Sequence, residues 1–543
     1  MKPRIKYFFI YFLLLLLLLS PSLVAYVIEK LPSRFILCIL IQGGLLLLPF
    51  GIFHKNLRLY LYLLIGWILL APFALISPVF FGIEMNTDFL ILVINTTFRE
   101  AIELFGKLII PFILFFIVYV GLYIFLVKKS VKKISWKTGI FISILGIVMF
   151  MTGIISGTGF QNLAVNTKAG LVSYYPTDIL YSALKYSEKI KRVDHEALIK
   201  NYTFQAKKED TLKDREIYVL VIGETARYQN WGLNGYKRNT SPLLEKRKNL
   251  LSFSDVSTVG CMTELSVPLI ITRAKPYDFE QHYSEKGISG AFAESGFQTY
   301  WISNQEDYFN IRMHVNELKN VINLAPSRSS SQSVYDIKVV DAFDSVLKND
   351  HSKKIFFILH TMGSHFDYSK RYPPEFNVFR PSGNGEPINA MNPDNKEIMV
   401  NSYDNSILYT DMILDSLISL IKQENAVSYL MYLSDHGENL YDDSRMRFLH
   451  PPSEPTKYVA HIPFFIWTSP EYESAYQKKF QELKDHLNSP VSSTDVFETL
   501  LDMANITYPK ANLHESISSD KFQNSKQDIL GGDMKIYNFK NLH

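Results

Sequence analysis

The sequence predicts an α/β protein in two unlike parts, a five-helix transmembrane domain followed by an α/β domain with a mostly parallel central sheet. Three observations predict it. Apolar stretches of membrane-spanning length are confined to the part before residue 160. Beyond it, short continuously apolar runs alternate with helical stretches, the pattern of a parallel sheet covered on both faces. The mean hydropathy of +0.03 over 543 residues is then an average of two dissimilar halves. A chain that is 47% hydrophobic, with 56 Lys+Arg against 53 Asp+Glu, is neither a disordered polymer nor a polycation, so no nucleic-acid partner is expected.

The apolar runs are residues 7–28, 35–53, 59–81, 108–127 and 139–155. Each is close to the ~20 residues that span a bilayer core as a helix. Lys2, Arg4 and Lys6, then Lys55 and Arg58, then Lys128, Lys129, Lys132, Lys133 and Lys137 fall on one side, against Lys30, Arg34, Arg99 and Lys107 on the other. The positive-inside rule therefore places the N-terminus in the cytoplasm and, after five spans, the remainder outside. A cleaved signal peptide ending near Ala25 is the competing reading. The apolar run continues past Ala25, and cleavage would leave four spans at odds with the charge bias.

The predicted organisation is residues 1–157 as the transmembrane domain, 158–210 as a connector and 211–543 as the outer domain. In the connector, Ile179, Leu180, Ala183 and Leu184 share one helical face, which suits a helix on the membrane surface or a packed linker helix. The polar residues within 82–107 suit an outer-face loop near lipid headgroups. Of the two cysteines, Cys38 lies in the second apolar run and Cys261 far away, so no disulfide can form within the outer domain. A core must hold it instead, and roughly 340 residues from Asn201 on are enough for one.

Strand-like runs occur at 217–225, 297–305, 354–365, 428–438 and 461–469, with helical stretches at 334–347, 403–421 and 476–487. In such folds the site forms outside the carboxyl ends of the strands. The first run ends in Gly223-Glu224-Thr225, the third in His360 and His365, the fourth in Asp435-His436-Gly437-Glu438. A carboxylate from one strand end and an Asp-His pair from another are O and N ligands of the kind zinc takes. Between them, Gly260-Cys261-Met262-Thr263-Glu264-Leu265-Ser266 reads as a glycine turn entering a helix. Thr263 then stands where backbone N–H groups favour a phosphate, and metal contact would make its hydroxyl a usable nucleophile. Each piece also has a plain structural reading: Asp-His-Gly as a turn, Glu224 and Thr263 as helix caps, Cys261 as a small buried thiol and not a nucleophile.

The segments GETARYQNWGLNGYKRNTSPLL (223–244), MTELSVP (262–268), LHTMGSHFDYSKRYPPEF (359–376), YDNSILYTD (403–411), SDHGENL (434–440) and Leu449-His450 resemble the ordered motifs of the phosphoethanolamine transferases. The resemblance runs from the first span to about residue 470. It implies a five-span anchor in the bacterial inner membrane and a periplasmic domain of the alkaline-phosphatase and sulfatase type. It further implies Zn2+ held by Glu224, Thr263, Asp435 and His436, with Thr263 carrying phosphoethanolamine covalently. His365 and His450 match two further family histidines, placed near the transferred phosphate or a second zinc. His461 is either another of these or structural, His360 is expected behind the site, and His282 and His314 are expected on the solvated surface. Family members often carry several disulfides, which this chain cannot, and the nucleophile loop reads Gly-Cys-Met-Thr instead of the more usual Gly-Thr-small-Thr.

The implied reaction takes phosphatidylethanolamine as donor and lipid A or lipopolysaccharide core as acceptor, by a monomeric enzyme. Thr263 attacks the phosphorus and expels diacylglycerol, and an acceptor oxygen then takes the group from phospho-threonine. The rivals are a phosphoglycerol transferase of the same fold acting on an envelope glycan and a non-catalytic membrane receptor. An arylsulfatase is disfavoured because its formylglycine requires a Cys or Ser followed by x-Pro-x-Arg, which Cys261-Met262-Thr263-Glu264-Leu265 lacks.

Overall fold

The computed structural model describes residues 3–28, 32–76, 109–158, 174–181, 183–184, 199, 201–210, 212–305, 309–325, 334–384, 388, 392–442, 446–450 and 454–543. These fall into two compact units, one within residues 1–192 and the other from 193 on.

In the first unit, Tyr7–Val27, Ser33–Phe50, Ile109–Lys129 and Trp136–Ser156 are helices long and apolar enough to cross a membrane. The remaining predicted span is a pair, Leu57–Leu63 and Ile65–Leu75, bent by 43°. Large apolar side chains such as Phe8, Phe115 and Phe141 point outward, as a lipid-facing surface requires. Two of the predicted cationic loops meet: Arg58 Nη2 donates to Ser130 O at 2.7 Å, and Leu57 N to Lys132 O at 2.9 Å. The predicted loop at 82–107 and the connector helix beyond Leu184 lie outside the described residues.

The second unit is built on a seven-stranded sheet. Its strands in chain order are β1 (Glu216–Gly223), β2 (Leu250–Ser252), β3 (Gln298–Ser303), β4 (Asn320–Asn323), β5 (Lys354–His360), β6 (Val427–Ser434) and β7 (Phe464–Thr468). Their order across the sheet is β2-β7-β6-β1-β5-β3-β4. The pairs β6-β1, β1-β5, β5-β3 and β3-β4 are parallel, while β7 runs antiparallel to both β6 and β2.

Central β1 is buried throughout because helices cover both faces. With a side-chain period of two, Tyr218, Leu220 and Ile222 join one core, with Ile270, Phe292 and Leu500. Ile217, Val219 and Val221 join the other, with Phe343, Met399 and Ile407. Each such buried side chain contributes on the order of 1.5–3 kcal/mol. The five strands read from apolar runs are all present. The short edge strands β2 and β4 were not predicted; β4 alternates between half-buried and exposed positions and carries no apolar run.

Register decides where the chemistry falls. Ile222 pairs with His360 and with Leu433, Gly223 with Ser434, and Ser303 with His360, so four neighbouring strands end level with one another. Whatever follows those residues is gathered at one edge.

Candidate metal centre

Glu224 and Asp435 are the first residues past Gly223 and Ser434, and the parallel pairing continues one step beyond the strands, with Asp435 N donating to Gly223 O at 3.0 Å. Glu224, Asp435 and His436 are all fully buried and form the one group of three metal-ligand side chains found among the described residues, with one ligand atom from each lying within 4.8 Å of the others. His436 Nε2 is 3.4 Å from Glu224 Oε1 and 3.5 Å from Asp435 Oδ2. Bonds of about 2.0–2.1 Å to a tetrahedral zinc would put ligand atoms roughly 3.3 Å apart, so these spacings suit the ion. Asp435 Oδ2 and His436 Nε2 accept or donate no hydrogen bond although both are buried. Two orphaned polar atoms facing one another in a dry site, with an O and N donor set, fit zinc.

Electrostatics point the same way. Burial pushes the Asp435 carboxyl up to about 8, and the charge of Glu224 adds to the effect. Burial also opposes the charged forms of Glu224 and His436, yet here the partners win. The charge of His436 holds Glu224 well below the usual carboxylate range, and the two acids raise His436 to about 10.

Thr263 opens the Thr263–Ile271 helix, and its Oγ1 donates to Glu224 Oε2 at 3.1 Å. Met262, the cap residue, has extended backbone and supplies no side-chain hydrogen bond to the first turn, so the helix start faces the site without a protein anion capping it from that position. The helix is fastened to the ligand strand, since Ser266 Oγ donates to Asp435 O at 2.6 Å. Gly260 is required by that packing: a Cβ there would lie 2.7 Å from Ser266 N. Residues 528–530 and 536–538 form a hairpin whose Leu530 N donates to Val259 O at 2.8 Å. The C-terminal segment thus braces the loop that leads into Thr263. Cys261 is buried and unbridged.

His450 joins the site, its ring 4.2 Å from that of His436 and its Nδ1 3.5 Å from Glu438 Oε1. His365 lies on a loop wrapped round Glu224: Ser364 N donates to Glu224 O at 2.9 Å, and the charge of His365 helps to lower Glu224. His360 is buried behind the edge against Trp301, and burial lowers its imidazole to about 4. His461 is not in the cluster. It stacks on Tyr228 at 4.0 Å and bonds Ser254 O at 3.0 Å. His282 and His314, expected at the surface, are buried. They stand near one another, 6.1 Å between ring centroids, a pairing that spacing along the chain does not reveal, and His314 Nδ1 lies 2.7 Å from Glu317, three positions on.

Four residues to which the sequence assigns no role shape the centre. Asp336 accepts from Met362 N and Gly363 N, both at 2.9 Å, and so fixes the His365 loop. Tyr403 Oη donates to Thr225 O at 2.7 Å and accepts from Arg227 N at 2.9 Å, under the turn that follows Glu224. Glu438 is buried with neither carboxylate oxygen hydrogen-bonded, beside His450. Gln305 Nε2 lies 2.8 Å from Glu224 Oε2. Glu438 and Tyr403 stood in quoted motifs; Asp336 and Gln305 carry no signal beyond being polar residues near an element end.

Residues 216–506 match the sulfatase family. Phosphoethanolamine transferase EptC of Escherichia coli strain K12 is 26% identical over 516 residues, 90% of this chain and 87% of that protein. The Kdo(2)-lipid A phosphoethanolamine 7''-transferase of the same strain is 29% identical over 330 residues, 58% of this chain and 56% of that protein. Among solved structures, the C-terminal periplasmic domain of EptC from Escherichia coli in complex with Zn superposes with a TM-score of 0.56 at 27% identity, covering 62% of this chain and 96% of that one.

Proposed function

From the premise that the chain belongs to the sulfatase family, we propose that it transfers phosphoethanolamine from phosphatidylethanolamine to lipid A or lipopolysaccharide core, through a phospho-threonine on Thr263. It is a multi-pass enzyme of the inner membrane with its catalytic domain in the periplasm, divided as 1–157, 158–210 and 211–543. One observation carries the reading: a buried trio of zinc-type ligands, Glu224, Asp435 and His436, with the Thr263 hydroxyl 3.1 Å from Glu224 at a helix start. The relatives' names supply the transferred group and the acceptor class.

Glu224, Asp435, His436 and Thr263 would hold the zinc, which when bound supplies positive charge that lowers the hydroxyl pKa and polarises a phosphoryl oxygen. The protein does the rest. Glu224 accepts the Thr263 hydroxyl and aims its oxygen at the phosphorus. Attack forms the Thr263 O–P bond and breaks the P–O bond to diacylglycerol, which leaves with a proton. The open start of the Thr263–Ile271 helix stabilises the charge that gathers on the phosphoryl oxygens. His365 and His450 bind those oxygens or move the proton at the leaving and entering oxygens. An acceptor oxygen then attacks the same phosphorus, and Thr263 regains its hydrogen.

Mass spectrometry of lipid A and core oligosaccharide from cells with and without the gene tests the proposal. An added phosphoethanolamine is expected in one fraction only when the gene is present. Identical spectra in both fractions would overturn the lipopolysaccharide reading.

A further inference from the structure

We infer that Gln305 is a positioning residue for Glu224, locking the ligand's carboxylate to the loop that carries His365. The inference rests on the zinc reading above and deepens it.

Gln305 is 2% exposed and stands two residues past the end of β3. Its Nε2 donates to Glu224 Oε2 at 2.8 Å and to Thr361 O at 2.7 Å. An amide nitrogen has two hydrogens, so both are committed. The backbone of Gln305 is itself held: its N–H donates to Ser303 Oγ at 3.0 Å, and that hydroxyl donates back to Gln305 O at 3.1 Å. The amide is thus preorganised and does not simply fill space.

The opposite oxygen, Glu224 Oε1, accepts from Thr225 Oγ1 at 2.6 Å. One neutral donor on each oxygen fixes the plane of the carboxylate. Oε2 also accepts from Thr263, and that donation ends whenever Thr263 becomes esterified. Gln305 then keeps Oε2 in place while the nucleophile changes partner. A neutral donor suits the task. A Lys or Arg would cancel the charge the ligand offers a cation, and an acid would repel it. By its second bond to Thr361 O, the same amide ties the end of β1 to the loop leaving β5, so Glu224 and His365 are placed by one group.

Partners of this kind, which orient a metal ligand without touching the metal, are typically worth 10–100-fold in metal affinity. The test uses the full chain in detergent, with zinc affinity measured by competition with a chromophoric chelator. Gln305→Met, similar in length and volume but without donors, should weaken zinc binding about 10–100-fold. The zinc-free melting temperature should stay within a few degrees, and saturating zinc should restore most of the turnover. Gln305→Asn, which keeps the amide on a shorter stem, should fall between, and it carries the test alone should Gln305→Met not fold. Unchanged zinc affinity in the variants overturns the inference. Turnover lost at unchanged affinity and not restored by zinc also overturns it, assigning Gln305 to substrate. A wild-type chain that takes up no zinc is a different failure, because it removes the parent reading first.

Discussion

At the scale of single residues, the proposed centre divides into a hydroxyl that would react and charged groups that would hold the ion, and the two fail differently. Thr263→Ala removes the only proposed phosphoryl carrier while Glu224, Asp435 and His436 remain, so turnover should fall on the order of 10⁴-fold or more while the chain stays folded. The same variant should show no phosphoethanolamine adduct by intact-protein mass spectrometry after incubation with donor alone, where the wild type should. Asp435→Asn acts on metal binding. Zinc at 100 times its dissociation constant should stabilise the wild type by about 2.7 kcal/mol, read as a rise in melting temperature. In Asp435→Asn that rise should disappear, because an amide in place of an anion removes one of the two carboxylates proposed to hold the ion.

Elements decide whether those residues arrive together. Gly363 has φ +48° on the loop after β5, and a Cβ there would stand 2.7 Å from Glu224 O. Gly363→Ala should cost roughly 1–2 kcal/mol for the left-handed backbone alone, and turnover should drop further because the His365 loop is pushed off Glu224. A melting curve beside a turnover assay separates the two effects. The Lys396–Gln423 helix offers a pH test. Its Asp411 accepts from Leu243 N at 3.0 Å and Leu244 N at 2.9 Å, and burial pushes its carboxyl up to about 7. The folded chain therefore binds that proton more tightly than the unfolded chain, whose carboxylates titrate near 4. The stability it adds is complete below about pH 4 and is lost as pH rises through about 7. The melting-temperature gap between wild type and Asp411→Asn should narrow from pH 5 to pH 8. This helix also marks how far the sequence could be read. β1, β5 and β6 announced themselves as continuous apolar runs, and the ligands follow because parallel register places successive strand ends side by side. The segment YDNSILYTD revealed a family but not its own task. The structure uses Tyr403 under the Glu224 turn, Asp404 against Asn230, Tyr236 and Arg238, and Asp411 on the 243–244 backbone, all as scaffold. Such pairings join side chains more than 160 positions apart, and no spacing rule reaches that far.

Across the whole molecule, stability comes from packing, with no disulfide to assist. Both cysteines are buried and unbridged. Excess dithiothreitol should leave the melting temperature within about 1 °C of its value without reductant, whereas losing a native disulfide typically costs 2–5 kcal/mol. A calorimetric shift on reduction would contradict this. The order of strands has another outcome, one of timing. Thr225 donates to Asp435 at 3.1 Å across 210 positions of sequence, and β1 lies between β5 and β6, both of which follow it by well over a hundred residues. Glu224 is made and exported long before Asp435 and His436, and contacts of such separation form late in folding. Until β6 docks, Glu224 is a single carboxylate with no Asp435 or His436 beside it, so on the proposed zinc reading the growing chain would capture the ion only once β6 is in place.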